Sequence, residues 1–191
     1  MAMRKYPFRK AAGFSLIELL IVVIILAILA AIVIPQFSGS TTDAKEAALD
    51  SNLSAMRSAI ELYKVQHANV FPGAVATSAG GGCVGGTKGT GALNTAQAYL
   101  DSMLMFSDAS GNTCTLGDAT TYKFGPYLRK GIPNDAITGK GSVIADIVVT
   151  SAGAPLAPAA ATGGWAYDTK SGQIVMNSNA NDSKGVAYSA R

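Results

Sequence analysis

A carboxylate at position 18 lies inside an otherwise apolar run, Phe14–Ile34, whose 21 residues are interrupted only by Ser15 and Glu18. An ionised carboxylate in hydrocarbon costs about 2.5 to 3.5 kcal/mol at the centre of a spanning helix and less near its end. Glu18 therefore needs a cationic partner, and pairing charges is the chemistry it offers. Two other sets of residues carry chemical possibilities. Cys83 and Cys114 are the only two cysteines, enough for a single intramolecular disulfide, with free thiols or an intermolecular link as the alternatives. Asn177, Asn179, Asn181 and Asp182 place oxygen donors at nearly alternating positions, without the ligand order or closing glutamate of an EF-hand, and read as a solvated loop.

Other chemistries find no support. The single histidine, His67, has no nearby Cys, His or carboxylate pair and is expected on the surface; with two cysteines it falls short of a structural zinc set. The methionines of "YLDSMLMF" read as core filler rather than metal ligands. "GGTKGT" lacks the spacing of a phosphate-binding loop and a preceding strand. No serine sits in a nucleophile elbow and no carboxylates pair on one element, so no enzyme and no cofactor is expected. The net charge is +3, but Arg4, Lys5, Arg9 and Lys10 precede the apolar run; without those four of the 15 basic residues, 11 face 12 acidic ones. A head without basic excess lacks the footprint for nucleic acid.

The elements that must position these residues follow from patterning. Leu19–Ile34 supplies 16 consecutive apolar residues, and the run from Phe14 makes roughly 31 Å of helix, enough to cross a bilayer core of about 30 Å. Its basic flank places the N-terminus in the cytoplasm and the remainder outside. A cleaved signal, a plain anchor and a specialised leader cut before the run all fit that charge pattern, and Glu18 suits neither ordinary alternative. Pro35 removes an amide donor and predicts a kink, and "PQFSGSTT" is a poor helix former, read as a flexible region or a plain juxtamembrane linker. Asp43 is the expected cap of a resumed helix. In it Leu49, Leu53, Met56, Ile60 and Tyr63, spaced four, three, four and three, lay one apolar stripe. About two heptads are too few for a coiled coil, so the stripe is expected to pack on the head. With the span this makes a helix of some 50 residues.

"VATSAGGGCVGGTKGTGA" reads as a long permissive loop. "NTAQAYLDSMLMF" predicts a second helix, capped by Asn94 or Thr95, with Ala96, Leu100, Met103 and Leu104 inward. "SVIADIVVT", "GWAYD" and "GQIVMN" read as strands with a turn at "TKSG", an antiparallel sheet of three or four strands on the spine helix. In an oxidising compartment a Cys83–Cys114 bridge is the expected pairing, closing a loop of about 32 residues and contributing roughly 3 to 4 kcal/mol.

"GFSLIELLIVVIILAILAAIVIP" resembles the N-terminal signature of the type IV pilin superfamily, which includes type IV pilins and the pseudopilins of type II secretion. The resemblance covers Met1 to about Phe37. It implies cleavage by a prepilin peptidase after Gly13 and methylation of the new amine at Phe14. Glu18 then matches the family's glutamate and becomes an assembly contact, meeting the freed amine of a neighbouring subunit. The implied fold is α+β: residues 1–13 a cleaved leader, 14–35 a membrane and filament-core helix, 36–67 its amphipathic continuation, and 68–191 a pilin-like head with a C-terminal hairpin. The implied partners are further copies in a helical filament, prepilin peptidase, an inner-membrane assembly platform and minor pilins or pseudopilins. Major pseudopilins bind calcium in a C-terminal loop, which makes Asn177, Asn179, Asn181 and Asp182 weak candidates. The second half, "GPYLRKGIPNDAITGK" with "GGWAYDTKSGQIVMNS", also looks like secretion pseudopilins. A pseudopilus subunit is the leading reading; a surface pilin, or a solitary membrane-anchored binding domain, are the alternatives.

Overall fold

The computed structural model describes residues 13–153 and 155–191, without the side chains of residues 34–38. Its first element, α1, is a helix of 51 residues, Leu16–Gln66. The chain divides into two compact units at Thr41 and Thr42, and α1 supplies residues to each. The helix continues through residues 35–42, where a poor helix former was expected. Asp43 accordingly sits within α1 and does not cap a new helix. Helix propagation adds one hydrogen bond per residue once nucleated, so strong helical patterning on both sides carries the chain through Gly39 at a local cost of about 1 kcal/mol. The expectation of a kink at Pro35 falls on a side chain outside the described residues, and those for the leader at residues 1–12 lie outside them too.

In the second unit the predicted stripe is the core. Leu49, Leu53, Met56, Ile60 and Tyr63 are each at most 1% exposed. They pack with Tyr99 and Met103 of α2 (Ala96–Leu104) and with the inner face of a three-stranded sheet. Thr95 caps α2 as expected, its side chain accepting from the Ala98 amide. The inward face of α2 is centred on Ala98, Tyr99, Ser102 and Met103, while Ala96, Leu100 and Leu104 are half-buried at its border. A short antiparallel pair, β1 (Phe106–Ser107) and β2 (Thr113–Cys114), follows α2.

The main sheet comprises β3 (Ile147–Thr150), β4 (Trp165–Asp168) and β5 (Ile174–Met176), in that order. β4 and β5 form the expected hairpin, with Trp165 opposite Met176 and Tyr167 opposite Ile174. The pairing of β3 with β4 is parallel, Ile147 facing Trp165, so the sheet is mixed where an antiparallel one was expected. Residues 151–164 supply the crossover: parallel neighbours need a connection of a dozen or more residues, and this proline-bearing segment is long enough. The fold remains a long apolar helix with a small α+β head.

β4 is central and buried along its whole length. Its two large aromatics keep their polar ends satisfied: the Trp165 indole N–H donates to the Pro133 carbonyl at 2.8 Å, and the Tyr167 hydroxyl donates to the Pro72 carbonyl at 3.0 Å. Asp168 organises the turn. Its carboxylate accepts from the amides of Lys170, Ser171 and Gly153 and from the hydroxyls of Ser171 and Thr150. Burial pushes its pKa up, but these donors outweigh it and hold the group at about 2.

Candidate functional site

The residues around Glu18 form a helix start. Ser15 and Glu18 have the spacing of a capping box, and they close one: the Ser15 amide donates to Glu18 Oε2 at 2.8 Å, and the Glu18 amide donates to Ser15 Oγ at 3.3 Å. Sequence reasoning missed this role because the surrounding apolar run drew attention to lipid, although the S-x-x-E signal was in plain view. Glu18 thus already has one partner in the single chain, and an incoming cation would share the carboxylate with the Ser15 amide.

Around it nothing apolar is covered. Phe14, Leu16 and Ile17 are 84%, 89% and 63% exposed, and the window Leu16–Val33, with a mean hydropathy of 3.4, is unburied throughout. By length and composition this is a helix able to cross a membrane. A contiguous apolar surface of this extent requires lipid or partner helices. No described atom lies within 4 Å of a Cβ placed on Gly13, so local packing gives no reason for glycine there.

In the head, Cys83 and Cys114 are bonded, with Cα atoms 5.7 Å apart. The bridge fastens the glycine-rich segment to β2. A second fastening was not foreseen: buried Asp101 accepts the Thr90 and Gly91 amides and the Thr77 hydroxyl on one oxygen and the Gln97 side-chain amide on the other. Such carboxylates are recognised by what the loop brings to them, and no short motif announces that.

His67 is 2% exposed, contrary to the surface position expected of it. As α1 ends, its ring stacks on Tyr63 with centroids 3.8 Å apart. Nδ1 lies 2.8 Å from the Tyr63 carbonyl oxygen and Nε2 lies 3.0 Å from Ser107 Oγ. Both nitrogens are therefore satisfied without solvent, which is what permits burial. Burial lowers its pKa below the ordinary 6.5, against smaller opposing effects of the Tyr63 and Asp108 backbone and the Asp108 charge. With the folded pKa below the unfolded one, the unfolded chain takes up a proton first as pH falls, so this contribution to stability is full above 6.5 and is lost as pH drops toward the folded pKa. The head should unfold at lower denaturant at pH 5.5 than at pH 7.5, and His67→Gln should flatten that difference; an equally steep pH response in the variant would contradict the assignment.

The four weak calcium candidates are not assembled into a cation site. Asn177 donates to Thr162 Oγ1 and Asn179 to the Ala159 carbonyl, both toward the crossover segment. Asn181 pairs its backbone with Ala187. Asp182 accepts from the Lys184 and Val186 amides on one oxygen and from Arg191 on the other. The donor set does not fit calcium as arranged, because the one carboxylate is already committed to a guanidinium.

Residues 8–34 match the family described as "Prokaryotic N-terminal methylation motif". The chain is 39% identical over 59 residues to Type II secretion system core protein G of Pseudomonas aeruginosa, covering 31% of this chain and 42% of that protein. It is 46% identical over 57 residues to Type IV narrow pilus major component PilA5 of Thermus thermophilus, covering 30% of this chain and 49% of that protein. With the core protein G of Aeromonas hydrophila it shares 34% over 64 residues, 34% of this chain and 44% of the other. The chain thus spans less than half the length of these curated relatives. They are named as components of assemblies, not as enzymes. No solved structure matches the chain significantly.

Proposed function

We propose, from the type IV pilin superfamily assignment that the motif and these relatives support, that the protein is a structural subunit of a type II secretion pseudopilus or a related filament. Prepilin peptidase cuts after Gly13 and methylates Phe14. The subunit waits in the inner membrane, N-terminus cytoplasmic and head outside, until an assembly platform feeds it into a filament alongside minor pseudopilins. The observation carrying this reading is the uncovered apolar helix with a carboxylate four residues beyond Phe14. A freed ammonium on a neighbouring copy can meet that carboxylate in a medium where either charge alone is expensive. Repeated contacts of this heterologous kind build open helices.

The test is the N-terminus of the native protein, read by mass spectrometry. Methylated Phe14 is the expected result; an intact Met1 or a start near Ile32 would overturn the proposal. A surface pilin is the second reading, favoured by the 46% identity to a narrow pilus component. Long surface fibres that vanish on deletion of the gene would select it.

A further inference from the structure

Residues 181–191 lie against the second half of α1 and are held there by charge more than by apolar packing. Asn181, Ser183, Lys184, Gly185 and Val186 are exposed, and Tyr188 is the one buried residue of the segment. Opposite them Glu46 is only 4% exposed. Its carboxylate accepts the Ser183 amide at 2.8 Å, the Ser183 hydroxyl at 3.0 Å and Arg191 Nη2 at 2.9 Å, with the Tyr188 hydroxyl at 3.5 Å. Arg191 also binds Asp182 at 2.6 Å and the exposed Asp50 at 2.7 Å. One guanidinium therefore serves three carboxylates. Asp43 and Lys184 line the same hollow, and Arg57 donates to the carbonyls of Ile174 and Arg191.

We propose that residues 181–191 form a strap that opens and closes on α1 as one unit, latched by the ionised Glu46 and Asp182 carboxylates on Arg191 and released when those carboxylates take up protons. Opening removes the cover from Glu46 and from β5, against which the turn Tyr188–Ala190 packs. A segment with few apolar contacts and many solvent-facing polar ones belongs to the low-stability end of a fold and can open without the rest. The direction follows from the closed state's donors. The Ser183 amide, against opposing burial, and then the Ser183 hydroxyl and Arg191 hold the Glu46 pKa below its ordinary 4.5. The Val186 amide and Arg191 hold Asp182 below 3.8. Opening returns both to ordinary values and so binds protons: the strap is closed at neutral pH and opens as pH falls below the ordinary carboxylate range.

Native-state hydrogen exchange on the detergent-solubilised full chain tests this. The amides of Ser183, Lys184, Val186 and Tyr188 should share one opening equilibrium, weaker than that of the β4 and β5 amides. Below about pH 4.5 their protection, corrected for intrinsic exchange, should fall by up to roughly tenfold per pH unit for each proton taken up, and it should stay weaker than that of β4 at every pH. Glu46→Gln should lower strap protection at neutral pH and flatten the response, and Asp50→Asn should retain it. Strap amides protected as strongly as β4 and insensitive to pH, or a wild-type response in Glu46→Gln, would overturn the proposal. The wild-type profile decides the matter even where Glu46→Gln fails to fold.

Discussion

A Glu18→Ala protein is expected to insert and lose its leader normally, yet to appear in filaments roughly tenfold less than the wild type. The magnitude follows from the medium. A carboxylate in a span costs up to about 2.5 to 3.5 kcal/mol, and recovering even half of that on pairing with a neighbour's ammonium biases assembly about tenfold. The capping box introduces a second consequence of the same substitution, because the Ser15 amide loses its acceptor. Ser15→Ala separates the two: it removes the hydroxyl that caps the Glu18 amide but leaves the carboxylate, and should assemble almost as the wild type. Sheared filaments weighed against the membrane pool, with the mature N-terminus verified by mass spectrometry, give the answer. Normal filament yield from Glu18→Ala would refute the pairing. A Ser15→Ala defect of equal size would instead place the requirement in the helix start.

Replacing both cysteines by serine should destabilise the head by about 3 to 4 kcal/mol, the loop-closure value for residues separated by 31 positions. The native loop has other anchors: the Gly89 amide donates to the Thr113 carbonyl, the Thr87 amide to Thr115 Oγ1, and the Thr90 and Gly91 amides to Asp101. These hold position in the folded head but do nothing to restrict the unfolded chain, where the covalent link acts. Denaturant titration of the double variant, and of the wild type with a reductant, should agree. A loss below about 1 kcal/mol in both would show that the unfolded chain retains the loop without its bridge.

Periodic features of the chain could be read from residues alone. The stripe from Leu49 to Tyr63 declared a helix with one buried face because apolar spacing of three and four has one local solution, and the β4–β5 hairpin was announced by a turn flanked by β-formers. The parallel β3–β4 pair could not be foreseen this way: direction depends on how an irregular 14-residue crossover runs, and its composition gives no heading. Asp43 misled because a capping residue was read where the helix had no end. His67 misled for a different reason: its partners, the Tyr63 carbonyl and the Ser107 hydroxyl, include one 40 positions away. Gly13, Phe14 and Glu18 sit in one contiguous motif and could be named as candidates from residues alone, whereas Glu46 gains its partners from residues 137 to 145 positions distant.

Trp165 is the only tryptophan of the 191 residues, and it is wholly buried with its indole N–H bound to the Pro133 carbonyl. The protein thus carries a native fluorophore confined to the head. Its emission should shift to longer wavelength only when the core around β4 admits water, so head unfolding can be followed optically in a micelle or a vesicle, without labelling and without a contribution from the apolar half of α1.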